Sequence, residues 1–150
     1  MAANTGRTHS KWCTVKLDDP GGTLTDISAY VNTIGQVGVT YDTSDVTAFS
    51  NAVKNIVLGQ GAAPITLGGP LDTVIITHIA AINGANTPLS MDIQFGIRQA
   101  RQSGEPQFGI TSSSTSGYLC TSFTTDGATW SATFDVYGGT TPAFGTSAET

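Results

Sequence analysis

Charge is scarce in this chain. Asp, Glu, Lys and Arg together make up 11% of its 150 residues, and the excess is acidic, giving a formal net charge of −5. A basic footprint for gripping nucleic acid is therefore missing. Acidity still leaves open a surface that a polyanion slides past, since such a wall should repel rather than bind. Cysteine is limited to Cys13 and Cys120, with no C-x-x-C pair and no framework spacing. Two buried structural thiols are expected, with a single Cys13–Cys120 disulfide as the alternative. The longest apolar stretch, near Val74 to Ile82, is far short of the ~18 residues of a membrane span. The first ten residues hold no apolar signal-like run, so synthesis and folding in a cytoplasm are expected, with no membrane partner.

The polarity that charge does not supply comes from Thr and Ser, together with 18 Gly. Thr fits a pleated, half-buried surface and Gly supplies tight turns, so the composition reads as mainly β. A chain of this length fits one domain, residues 1–150, with a real core. Residues 1–10 are small and polar and read as a mobile N-terminal arm, and 140–150 as a polar C-terminal tail.

Between them, Cys13, Val15 and Leu17 alternate with Trp12, Thr14 and Lys16 in a first strand, closed by the turn Asp18-Asp19-Pro20-Gly21-Gly22. A short turn at 26–30 and a strand near 31–41 follow. Residues 42–61 form a long excursion in which Val46, Phe49, Val53 and Ile56 recur at helical spacing, between a Ser44 cap and a Gly59 stop, so some helix is expected there. A segment this long inside a compact domain points to function. Ile65 to Leu67 reads as a strand, and Asp72 or Thr73 caps a helix whose Val74, Ile75, His78, Ile79 and Ile82 share one face before Asn83-Gly84. Leu89 to Ile97 alternates most cleanly, and its polar face, with Asp92 and Gln94, is expected to meet solvent or a partner. Phe108–Ile110, Gly117–Phe123 and Ala128–Tyr137 complete about seven strands, the last two joined by an Asp126-Gly127 hairpin turn. The sum is a β-sandwich or barrel with one flanking α-helix and a long loop between early strands.

Reactive constellations do not assemble. His9, His78, Cys13 and Cys120 give no recognisable zinc spacing, and His78, in a run of Ile, Thr and Ala, reads as a satisfied histidine at the core edge rather than a catalytic base. Asp42 and Asp45 lack a calcium-loop series, and Gly59-Gln60-Gly61 runs into Ala62-Ala63-Pro64 with no phosphate-loop lysine. No enzymatic activity and no cofactor are expected. Arg98 and Arg101, the closest basic pair, suit a salt bridge between subunits.

In their order along the chain, several short motifs resemble those of the siphophage major tail tube protein family. They are Gly6-Arg7 before the first strand, Asp26-Ile27-Ser28-Ala29-Tyr30-Val31, and Asp42-Thr43-Ser44-Asp45-Val46-Thr47-Ala48-Phe49. Lys54 and Gly59 follow, then Thr133-Phe134 with Val136 and Gly138 in the closing strand. The resemblance implies a structural protein of the virion tail that forms hexameric rings. The rings would stack into a tube with tape measure and tail terminator or tip proteins as further partners, and would pass DNA without specific binding. It also implies that the 42–61 segment reaches a neighbouring subunit, burying Val46, Phe49, Val53 and Ile56. The helical spacing of those four departs from the family's pattern. Asp92 and Gln94 are the candidate lumen residues on this reading. A capsid decoration or other head-associated structural protein is the main alternative. A carbohydrate-binding sandwich is disfavoured because Trp12 and Trp130 are single and embedded in strand patterns.

Overall fold

A computed structural model describes residues 7–8, 10–97 and 102–150. Among the described residues there are eleven strands and one α-helix: β1 (Thr14–Asp18), β2 (Leu24–Asp26), β3 (Thr33–Ile34), β4 (Thr40–Asp45), β5 (Ile56–Ala62), β6 (Ile65–Pro70), α1 (Thr73–Ile82), β7 (Met91–Gln94), β8 (Gln107–Ile110), β9 (Ser116–Thr125), β10 (Thr129–Gly138) and β11 (Ala143–Gly145). One sheet runs β11-β8-β7-β1-β2, a second β3-β6-β10-β9, and β4 pairs only with β5. The mainly β architecture with one helix is the one expected.

A single hydrophobic cluster joins the two larger sheets and the helix. Val15, Leu17, Met91, Ile93 and Phe108 come from the five-stranded sheet, Ile65, Leu67, Tyr118, Trp130 and Phe134 from the four-stranded one, and Ile75, Ile79 and Ile82 from α1. The alternation read from the sequence is what selects these residues, since period 2 sends one side of each strand inward. The β9–β10 hairpin turns at Asp126-Gly127, where Gly127 adopts φ +94° and Asp126 Oδ1 accepts from the amides of Ala128 and Thr129. At α1, Asp72 caps the first turn by accepting from Val74 N at 2.8 Å. Ile75, His78, Ile79 and Ile82 face the core, whereas Val74, in the first turn, lies on the exposed side.

Four expectations are corrected. The strand placed near 31–41 is two pieces, because Gly35 N bonds Thr66 O and the chain then leaves the sheet toward β4. Residues 42–61 contain no helix and form a β-hairpin instead. Within the polar tail, β11 pairs with β8 through Ala143, Phe144 and Gly145, and Phe144 packs on Phe108 with ring centroids 4.8 Å apart. The polar face of β7 is enclosed, with Asp92 and Gln94 both buried. No disulfide joins Cys13 and Cys120; Cys13 is half-buried and Cys120 buried.

Candidate functional site

The feature that core packing does not explain is the β4–β5 hairpin. Every residue of both strands is exposed, and the two strands belong to neither larger sheet. A lone two-stranded hairpin is marginal in water and needs a partner surface to be worth its ordering cost. The connecting residues 46–55 are nevertheless organised. Val46 N bonds Asn55 O, Thr47 Oγ1 and Asn55 exchange bonds of 2.8 and 3.2 Å, and Ala48 N bonds Asn51 Oδ1. Asp45 accepts from Thr47 N and lies 3.6 Å from Lys54 Nζ. The Thr47 bonds, with the ammonium adding a smaller pull, hold the Asp45 carboxyl below its ordinary value.

Apolar side chains decorate this hairpin where a soluble monomer would carry polar ones. Tyr41, Val46, Phe49, Val53, Ile56, Val57 and Leu58 are all exposed, and Phe49, at 112%, touches almost nothing. The strand register sorts them. Tyr41, Thr43 and Asp45 alternate on one face of β4, and their partners across the hairpin are Gly61, Leu58 and Ile56. Tyr41, Leu58 and Ile56 therefore form a continuous apolar stripe, while Thr40, Asp42, Ser44 and Val57 occupy the opposite, mostly polar face. A bulge between Tyr41 and Thr43 makes this possible by setting two residues, Gly59 and Gln60, against Asp42. Gly61 then lies under the Tyr41 ring, where a Cβ would come within 2.9 Å of Cε1.

All four residues predicted to be in the inter-subunit segment, Val46, Phe49, Val53 and Ile56, lie on this hairpin and are exposed. Their helical spacing has a different origin. Ile56 opens β5, and the other three belong to the connection. Tyr41, Val57 and Leu58 were missed, although the β-branched and aromatic content of Tyr41 and of Ile56-Val57-Leu58 was a strand signal.

A second surface is the outer face of the four-stranded sheet. Thr66 of β6, Thr124 of β9, and Ser131 and Asp135 of β10 are exposed there. Thr133 lies between Thr66 and Ser122, and Thr121 Oγ1 bonds Thr133 O and Asp135 Oδ2. This face is hydroxyl-rich with a single carboxylate among those residues. Asp92 and Gln94, by contrast, do not reach a surface. They are 0% and 6% exposed, and Gln94 Nε2 donates to Asp92 Oδ2 at 2.7 Å. The C-terminal segment helps to close that side, with Glu149 bonded to Thr111 at 2.6 Å and its Cγ 3.1 Å from where a Cβ on Gly109 would lie. Arg98 and Arg101 lie outside the described residues.

His78 is satisfied as expected at the core edge, its Nε2 2.9 Å from the Asp18 carbonyl. The carboxylate of that same Asp18 is buried and accepts from Ser90 N at 2.9 Å, with Ser112 Oγ at 3.4 Å. Burial pushes its carboxyl above the ordinary value, more strongly than those bonds pull it down. The hydroxyls of Ser90 and Ser112 bond each other, so the group ties the end of β1 to the segments at Ser90 and Ser112. Among the described residues no group of three or more His, Cys, Asp or Glu side chains is placed to hold a metal, and no helix is long and apolar enough to cross a membrane.

No family model matches the sequence, and no curated protein matches it. In structure, the chain is similar to a chain in the cryo-EM structure of the anti-feeding prophage cap, the AFP tube terminating cap. The TM-score is 0.62 at 14% identity, over 98% of this chain and 96% of that one. It is also similar to a chain in the cryo-EM structure of the anti-feeding prophage baseplate, 6-fold symmetrised, with TM-score 0.56 at 9% identity, over 96% and 97% of the two chains. The likeness is one of fold, and it extends over nearly the whole of each chain.

Proposed function

We propose that this chain is a structural, non-enzymatic subunit of a phage-tail-like particle, forming hexameric rings that stack into a tube. The observation that carries the reading is the amphipathic β4–β5 hairpin, whose apolar stripe and tip find no cover within their own chain. Contiguous exposed apolar surface of this kind marks an assembly surface. The two similar structures support it, one being a tube terminating cap and the other part of a baseplate described as 6-fold symmetrised. In the ring, the hairpin stripe is buried against a neighbouring copy. The hydroxyl-rich outer face of the four-stranded sheet lines the lumen, where an acidic chain with few cations gives DNA little to adhere to.

A second reading follows from the higher of the two TM-scores: a ring that closes the end of a tube built by another protein. Negative-stain electron microscopy of the purified protein at rising concentration, with mass measurement of the soluble fraction, separates the two. Stacked tubes support the tube wall, single rings that do not stack support the tube end, and a persistent monomer overturns both.

A further inference from the structure

A groove on the body of the subunit is suited to the hairpin, and we infer that it receives the apolar stripe of the β4–β5 hairpin from a second copy of this chain. The inference rests on the assembly reading above and adds the surface that the hairpin meets. The groove lies where β2 ends: β2 pairs with Lys16, Leu17 and Asp18 of β1, Ile27 N and Ser28 Oγ then bond Val15, and the chain turns away before Cys13. Its far wall is β3, a two-residue edge strand paired on one side with β6. Between these walls is a cavity of about 610 Å3 lined by Lys11, Cys13, Val15, Ser28, Val31 and Ile34.

Three properties match the two surfaces. The groove's apolar side chains face the need of Tyr41, Leu58 and Ile56 for cover. The open side of β3 accepts a strand, and the hairpin offers two strand edges that pair with nothing else, so main-chain bonding by strand addition is available along with apolar contact. Charge is complementary as well. Among the residues lining the groove there is an ammonium, Lys11, and no carboxylate, whereas the stripe face of the hairpin carries the Asp45 carboxylate, 3.6 Å from Lys54 Nζ. A competing hollow of about 400 Å3 beside α1, lined by Pro20, Val74 and Thr77, has Asp19 on its wall. Hydrogen bonds from Thr23 and Gly21 hold the Asp19 carboxyl low, so it stays ionised and repels the hairpin's acids. Groove and hairpin lie on different parts of the chain, so the contact is heterologous and propagates from copy to copy.

Cys13 serves as a native probe inside the groove. Phe49→Cys, Ile56→Cys and Leu58→Cys are made singly, assembled and mildly oxidised. A disulfide forms only where Cα atoms approach within about 7 Å, so three positions sample the seat. The expected result is a reducible ladder of linked chains in which peptide mapping joins Cys13 to the introduced thiol, lost on adding Cys13→Ser. Cys120 stays silent, because burial raises its thiol pKa. Lys11→Glu is expected to raise the concentration needed for assembly while leaving the circular dichroism spectrum unchanged. Normal assemblies with no linkage from any of the three variants, or linkage confined to single chains, would overturn the groove assignment and leave the assembly reading standing. Failure of the unmodified chain to assemble at any concentration overturns both.

Discussion

The hydroxyl of Tyr118 donates to the carbonyl of Ala63 at 2.9 Å, which ties the buried start of β9 to the residue where the chain returns from the hairpin to the core. Both residues are buried, so that carbonyl has no water to fall back on. Burial, with the negative charge of Asp135 adding to it, keeps the phenol protonated far above the ordinary tyrosine range, and the bond persists at any physiological pH. Tyr118→Phe leaves the carbonyl orphaned and is expected to cost about 1–3 kcal/mol. Urea unfolding should show a lower midpoint with an unchanged slope, and amide exchange should quicken first in β5.

On the assembly reading, the exposed apolar residues of the hairpin serve the contact between copies and not the fold of the monomer. Leu58→Asp and Phe49→Asp are expected to change folding stability by no more than about 0.5 kcal/mol, because neither side chain is packed in the monomer. Each should nevertheless yield soluble monomer in sizing chromatography. Val57→Asp, on the opposite face, is the control and should still assemble.

Asp18 gives a pH dependence of defined sign. Its native carboxyl is raised above 3.8, so the folded chain holds the proton more tightly than the unfolded chain. Stability from this group is fully present below that value and is lost as pH rises through the raised native one. Asp18→Asn removes the buried charge and can still accept from Ser90 N. The variant is expected to be more stable than the parent at neutral pH, with the difference shrinking on acidification. Thermal unfolding across that range measures it. Asp126 acts oppositely: main-chain bonds from Thr129 and Ala128 hold it low, so its contribution fades as pH falls through its lowered value.

Gly69 has no room for a side chain. A Cβ there would collide with the carbonyl oxygen of Tyr30, which also accepts the Trp130 indole N–H at 3.0 Å. Gly69→Ala must push the Tyr30 backbone away and break the indole bond, at an expected cost of about 1–3 kcal/mol. A shift in tryptophan emission should accompany the lowered unfolding midpoint.

The core was legible because it obeys period 2 or period 3.6 without interruption. Val15 and Leu17, Met91 and Ile93, and Ile75 with Ile79 and Ile82 all face inward as their spacing dictates. The hairpin was legible as an excursion from the core but not as a conformation. Val46, Phe49, Val53 and Ile56 mimic a helical face because a ten-residue connection separates two strands, and no local pattern records that Thr47 meets Asn55 across it. Asp92 and Gln94 misled for a related reason. Alternation tells which side of a strand a residue occupies, while only the tertiary structure reveals that the chain's own C-terminal segment returns near that side. The hydroxyl-rich face of β9 and β10 was present in the sequence as a run of Thr and Ser, with nothing in it to rank that face above the others.

The bulge opposite Asp42 makes the β4–β5 hairpin sensitive to parity. Removing either Gly59 or Gln60 would restore one-to-one pairing with the stripe intact, since Tyr41 would still face Gly61, Thr43 would still face Leu58, and the remaining residue would lie opposite Asp42. Inserting one residue on the Tyr41 side would invert the stripe's lower half relative to its upper half. Away from the bulge, length changes of two residues in a strand preserve which face is apolar, and changes of one do not. Among chains that share this architecture, the hairpin can therefore lengthen or shorten in even steps while its stripe stays whole, whereas odd steps demand that a bulge be gained or lost.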